Sequence, residues 1–149
     1  MAPRIGSVLF ACGRNTVRSP MAEALMKHMH GHRVFADSVG VWHGESVADP
    51  FAVAVIAEIG LDLSRHRPKS FDDLHDTSFD MIVTFSPEAH HRAMEVTRTM
   101  ACEVEYWPTL DPTVIEGSRE VRLHAYREVR DHLLGRIRER FPSEGSPEV

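Results

Sequence analysis

The chain has 149 residues, 42% hydrophobic and 26% charged, with 17 Lys+Arg against 22 Asp+Glu for a formal charge of −5. That suits a single globular domain able to bury a core without disulfide staples, and it speaks against a domain-wide nucleic-acid surface, which would be basic. No apolar run approaches the ~20 residues of a membrane span, the start carries no signal-peptide pattern, and Cys12 and Cys102 make no secreted disulfide framework. These readings set the expectation of a cytoplasmic protein that binds neither nucleic acid nor membrane.

Ile5–Ala11 is a short apolar run with little alternation, as in a strand covered on both faces. Cys12–Arg18 reads as a polar loop, and from Ser19 a helix begins. Pro20 suits its first turn, Met21, Leu25, Met26 and Met29 form its apolar stripe, and Gly31 ends it. Arg33–Val39 predicts a second strand. Asp49-Pro50 caps a helix over Phe51–Ile59, and Ser70–His75 has the look of a short helix. Phe79–Phe85 predicts a third buried strand, Pro87 opens a helix to about Thr97, and Glu103–Trp107 alternates as a fourth strand. Ser118 caps a long final helix ending near Phe141, and residues 142–149 are expected to be a frayed tail.

Strands alternating with helices predict an α/β domain: a four-stranded parallel sheet with helices on both faces. Ligands then sit beyond the carboxyl ends of the strands, so the loops after Ala11, Phe85 and Trp107 should share one face. The first of these carries the clearest chemistry. Cys12 ends a buried strand, five residues of loop follow (Gly13, Arg14, Asn15, Thr16 and Val17), and Arg18-Ser19-Pro20 enters a helix. Such a loop turns backbone N–H groups toward an anion, reinforced by the helix dipole. Arg18 offers a planar fork for two phosphoryl oxygens. The same field favours a nucleophilic thiolate at Cys12, to which Ser19 can donate a hydrogen bond. Gly13 permits the tight exit from the strand, and Asn15 tolerates a left-handed conformation. Asp111, followed by the stiff Pro112, lies in the loop after the last strand, on the expected ligand face, where Asp-Pro reads either as a group that can serve the ligand or as a simple turn.

The segment Cys12 to Pro20 resembles the signature of the low-molecular-weight protein tyrosine phosphatase family. Further matches follow in order: Met21-Ala-Glu-Ala-Leu25, Ser38-Val-Gly40, Asp49-Pro50, Gly60-Leu-Asp-Leu-Ser64 with His66, and Asp111-Pro112. The resemblance implies a flavodoxin-like fold over residues 1–141 and phosphomonoester hydrolysis without a metal or other cofactor. Cys12 would be the nucleophile, Arg18 the phosphate clamp and Asp111 the general acid and base. It also implies that Ser38 and His66 brace the loop through Asn15, and that Trp42 walls the pocket. The implied substrate is a phosphorylated protein or a small aryl phosphate.

Three departures bear on this reading. Val17 stands where many members carry a second Cys, Arg14 replaces a common Gly, and Thr113-Val114 occupy a place where eukaryotic members often have tyrosines. Two alternatives remain at the level of sequence: a thiol-dependent arsenate reductase on the same scaffold, and a non-catalytic phosphate-binding module. The histidines 28, 30 and 32 are two apart and share no helix face, so they do not read as a metal site. The arginine-rich final helix reads as a paired, solvated face.

Overall fold

A computed structural model describes residues 4–75 and 78–142. Four strands, β1 (Ser7–Cys12), β2 (Phe35–Gly40), β3 (Met81–Thr84) and β4 (Glu103–Tyr106), alternate with four helices, α1 (Arg18–His30), α2 (Pro50–Ala57), α3 (Pro87–Val96) and α4 (Arg119–Arg140). The strands form one sheet in the order β2-β1-β3-β4, and every pairing is parallel. Of the expected tail, residues 143–149 lie outside the described residues.

The unalternating character of the first strand has a direct cause. Val8, Phe10 and Cys12 face a core shared with α1, α2 and α4, while Leu9 and Ala11 face a second core built with α3, Phe71 and Phe79. Both faces of β1 are covered, so both alternating sets are apolar. Register aligns the strand ends: Cys12 pairs with Gly40, Ala11 with Thr84, and Thr84 with Tyr106. The chain leaves β1 for β2 on one side and returns to β3 on the other. The carboxyl end of β1 is therefore the topological switch point, and Cys12 stands on it.

Two expectations need correcting. Ser70–His75 is not a helix but one 3-10 turn, Phe71–Asp73, held by a capping box between Ser70 and Asp73 before Leu74 returns to extended backbone. The face of α4 is paired but less solvated than its composition indicates. Arg130 is buried, donating to the Val55 carbonyl and to Glu58 at 2.8 Å each, and Arg136 lies over the Trp107 ring. His30 is also buried and donates from Nε2 to the Phe141 carbonyl at 2.8 Å. Among the described residues no cluster of three potential metal ligands occurs, and no helix is long and apolar enough to cross a membrane.

Candidate active site

Strand β1 ends on Cys12 itself, so the sulfur belongs to the sheet and the loop begins at Gly13. From there the backbone turns at Asn15, the one described non-glycine residue with positive φ (60°), and enters α1 at Arg18. Arg14 does not need a left-handed backbone, so replacing a glycine there brings no strain of that kind. Gly40, at the end of β2, has a different constraint: a Cβ there would stand 2.8 Å from backbone atoms of Gly13, Arg14 and Asn15. The loop rests directly on the neighbouring strand.

The side chain of Asn15 holds the loop in place. Its Nδ2 donates to Ser19 Oγ at 2.8 Å and to Ser38 Oγ at 3.0 Å, while its Oδ1 accepts from the Lys69 backbone N–H at 3.0 Å and from His66 Nε2 at 2.9 Å. The Lys69 N–H can only donate, which fixes the amide orientation and places the His66 proton on Nε2. Ser38 Oγ in turn donates to Glu23 at 2.5 Å. Asn15, Ser19 and Ser38 are wholly buried. Burial pushes the His66 imidazole below its ordinary value, opposed by the nearby Glu23 carboxylate, so the neutral ring is favoured. The network ends on the sulfur: Ser19 Oγ lies 2.9 Å from Cys12 Sγ and 3.3 Å from the Val39 carbonyl. Because that oxygen already accepts from Asn15, its single proton is directed at the sulfur or the carbonyl.

Arg18 is anchored from behind. Its Nη1 donates to the Thr109 carbonyl at 3.0 Å and approaches that of Phe85 at 3.5 Å, while Nη2 is 4.0 Å from Asp111 Oδ2. The guanidinium thus ties together the loops after β1, β3 and β4. Asp111 turns its other oxygen inward on its own loop, accepting from the Thr113 N–H at 3.0 Å and hydroxyl at 2.7 Å. Among the described residues, the backbone N–H groups of Arg14, Asn15, Thr16 and Val17 meet no protein acceptor.

These groups surround a pocket of about 400 Å³, lined by Cys12, Gly13 and Arg14, by Thr16, Val17 and Arg18, by Trp42, by Ser86 and Glu88, and by Asp111 and Thr113. Trp42 does stand in the wall, half exposed, with the Arg14 guanidinium 5.8 Å over its ring and Glu45 3.6 Å from the same guanidinium. Ser38 and His66 lie outside the pocket, one hydrogen bond behind the loop. Sequence reasoning missed Glu23, Glu88 and the Thr109 carbonyl as members of the site. Glu23 lies beyond the first turn of α1, and no local pattern announces its contact with Ser38, fifteen positions away.

The family model for low molecular weight phosphotyrosine protein phosphatase matches residues 7–139. A low molecular weight protein-tyrosine-phosphatase of Streptomyces coelicolor is 35% identical over 124 residues, which is 76% of this chain and 74% of that protein. An arsenate reductase of Bacillus subtilis is 28% identical over 133 residues, 89% of this chain and 92% of the relative. A solved structure of a YwlE mutant from Bacillus subtilis superposes with a TM-score of 0.74 at 25% identity, covering 89% of this chain and 94% of that one. Another structure of YwlE is described as that of an arginine phosphatase.

Proposed function

The chain belongs to the low molecular weight phosphotyrosine protein phosphatase family, and from that membership we propose how its residues divide the work. The enzyme is a hydrolase of phosphoric monoesters. In the first step the Cys12 thiolate attacks phosphorus, the S–P bond forms as the P–O bond to the leaving group breaks, and Asp111 gives its proton to the departing oxygen. Arg18 and the loop N–H groups hold the phosphoryl oxygens as charge redistributes. In the second step water attacks the cysteinyl-phosphate and yields its proton to Asp111. The S–P bond breaks, inorganic phosphate leaves and the thiolate returns. Ser19 steadies that thiolate, and Asn15, Ser38 and His66 keep the loop in shape.

One observation carries this reading: Cys12 and Arg18, at the two ends of the loop after β1, and Asp111, in the loop after β4, line one pocket, with Arg18 and Asp111 4.0 Å apart. Phosphotyrosine is the substrate we assign, with Trp42 as the aromatic wall. A cytoplasmic, reducing setting suits a thiol that must stay free.

The arsenate reductase reading has less support. Arsenate reduction passes oxidising equivalents through further thiols, and the other cysteine, Cys102, precedes β4 and so lies at the opposite end of the parallel sheet. A second substrate deserves an arm of the test: Glu88 and Asp111 place two carboxylates on one pocket, which would also suit the cationic leaving group of a phosphoguanidine, the class named for YwlE.

The test compares p-nitrophenyl phosphate, a phosphotyrosine peptide, phosphoarginine, and arsenate with thiol. The proposal expects turnover of the first two, no turnover with Cys12→Ser, and a kcat about 10²–10⁴-fold lower with Asp111→Asn. Phosphoarginine turnover far above that of phosphotyrosine would overturn the substrate assignment, and thiol-dependent arsenate reduction without phosphatase activity would overturn the reaction.

A further inference from the structure

A cleft of about 650 Å³ opens between α1 and the segment 61–69; it shares no lining residue with the candidate active site, and its His66 is hydrogen-bonded to Asn15 of the phosphate loop. Its charge runs against that of the whole chain. The cations on its walls are Lys27, Arg65, Arg67 and Lys69, joined by His28 and His66, while among the described residues Glu23 and Asp62 are its only acidic lining residues. The chain as a whole carries 22 acidic side chains against 17 Lys+Arg.

Two of these cations are already engaged, Lys27 with Glu23 and Lys69 with Asp37. Asp62 is also committed, accepting from the Ser64 N–H at 2.8 Å and hydroxyl at 2.5 Å. Arg65 influences Asp62 at longer range. Among the described residues Arg65 and Arg67 form no hydrogen bond or ion pair. Two guanidinium forks with unspent donors therefore face one concave space. Pro20, Leu61 and Leu63 give the same space an apolar floor.

We infer that this cleft is a second anion site, distinct from the phosphate loop, and that it takes a small, multiply charged phosphate compound. The guanidinium fork matches phosphoryl oxygens in pairs. Cations spread over a cleft of this size suit several linked phosphates better than a lone one. The apolar floor can accept a non-phosphate portion of the ligand. An occupant would touch Glu23 and His66, each one hydrogen bond from the Asn15 network that ends on Cys12.

The test is independent of turnover. The full chain carrying Arg18→Ala, which removes the clamp of the phosphate loop, is titrated calorimetrically with inorganic tripolyphosphate and, separately, with adenosine triphosphate. Saturable binding is expected, weakening as salt rises, and adding Arg65→Ala with Arg67→Ala should lower affinity about tenfold or more. Binding of both ligands assigns the polyphosphate moiety, and binding of adenosine triphosphate alone assigns a nucleotide; either result supports the site. No binding, or an affinity indifferent to the arginine substitutions, overturns it. Amide NMR of the unmodified chain with tripolyphosphate checks the result without Arg18→Ala. Signals of residues 61–69 should move, and shifts confined to 12–19 would contradict the inference.

Discussion

Asn15 concentrates more of the loop's geometry than any other single side chain. It sits fully buried at φ 60° and uses both amide groups on four partners from separate parts of the chain. Asn15→Ala keeps the backbone strain of a left-handed residue and leaves Ser19, Ser38, His66 and the Lys69 N–H short of a partner. The expected cost is about 2–4 kcal/mol of stability, read from the shift of the urea midpoint, with kcat falling because Ser19 is no longer held beside the sulfur. A change below about 0.5 kcal/mol, the range of ordinary surface substitutions, would show that the loop holds itself. Cys12, Arg18 and the left-handed tolerance of Asn15 were all legible, since each follows from residue type at a fixed place in a strand–loop–helix unit. The fourfold satisfaction of Asn15 was not, because it depends on Lys69, whose contribution is a backbone N–H and leaves no mark in residue type.

At the scale of elements, the alternation of strands and helices was readable because both faces of β1 are covered, and because Pro50, Pro87 and the caps Asp49 and Ser118 mark helix starts that the structure retains. Boundaries shifted where tertiary contacts decide: Cys12 joined the strand, and only Phe71–Asp73 kept helical form between Ser70 and His75. Asp49 shows how a local cap becomes a long-range tie. One oxygen accepts from the Phe51 N–H at 2.8 Å, the other from the Tyr126 hydroxyl of α4 at 2.8 Å, and its own N–H donates to the Thr16 carbonyl at 3.0 Å. Burial, with Asp49 beside it, pushes the Tyr126 hydroxyl well above the usual phenol range. Asp49→Ala removes the cap and strands a buried hydroxyl, for an expected loss of about 2 kcal/mol. Tyr126→Phe in the Asp49→Ala background should recover part of it, since no donor is then left unpaired. Thermal denaturation of Asp49→Ala, Tyr126→Phe and the double variant checks this, and additive losses would contradict the coupling.

Across the whole molecule, stability and chemistry meet at His66. Burial favours its neutral form, against Glu23 and Asp37 and with Lys69. The folded chain therefore binds fewer protons there than the unfolded chain in the window just below the ordinary imidazole value, so this contribution is present above that value and is lost as pH falls through the window. His66→Gln keeps an N–H for Asn15 and does not titrate, so its melting temperature should fall less steeply than that of the unsubstituted chain on acidification below about pH 6.5; parallel curves would remove His66 from the account. The central claim, that the sulfur at the sheet's switch point takes the phosphoryl group covalently, is tested most directly by trapping. Asp111→Asn, mixed with p-nitrophenyl phosphate and quenched rapidly, should keep a leaving group that departs without a proton yet hydrolyse the intermediate slowly. Mass spectrometry should then find a phosphoryl increment on the peptide bearing Cys12, absent when Cys12→Ser is added. Hydrolysis that persists in Cys12→Ser, with no increment on that peptide in the Asp111→Asn chain, would contradict the account.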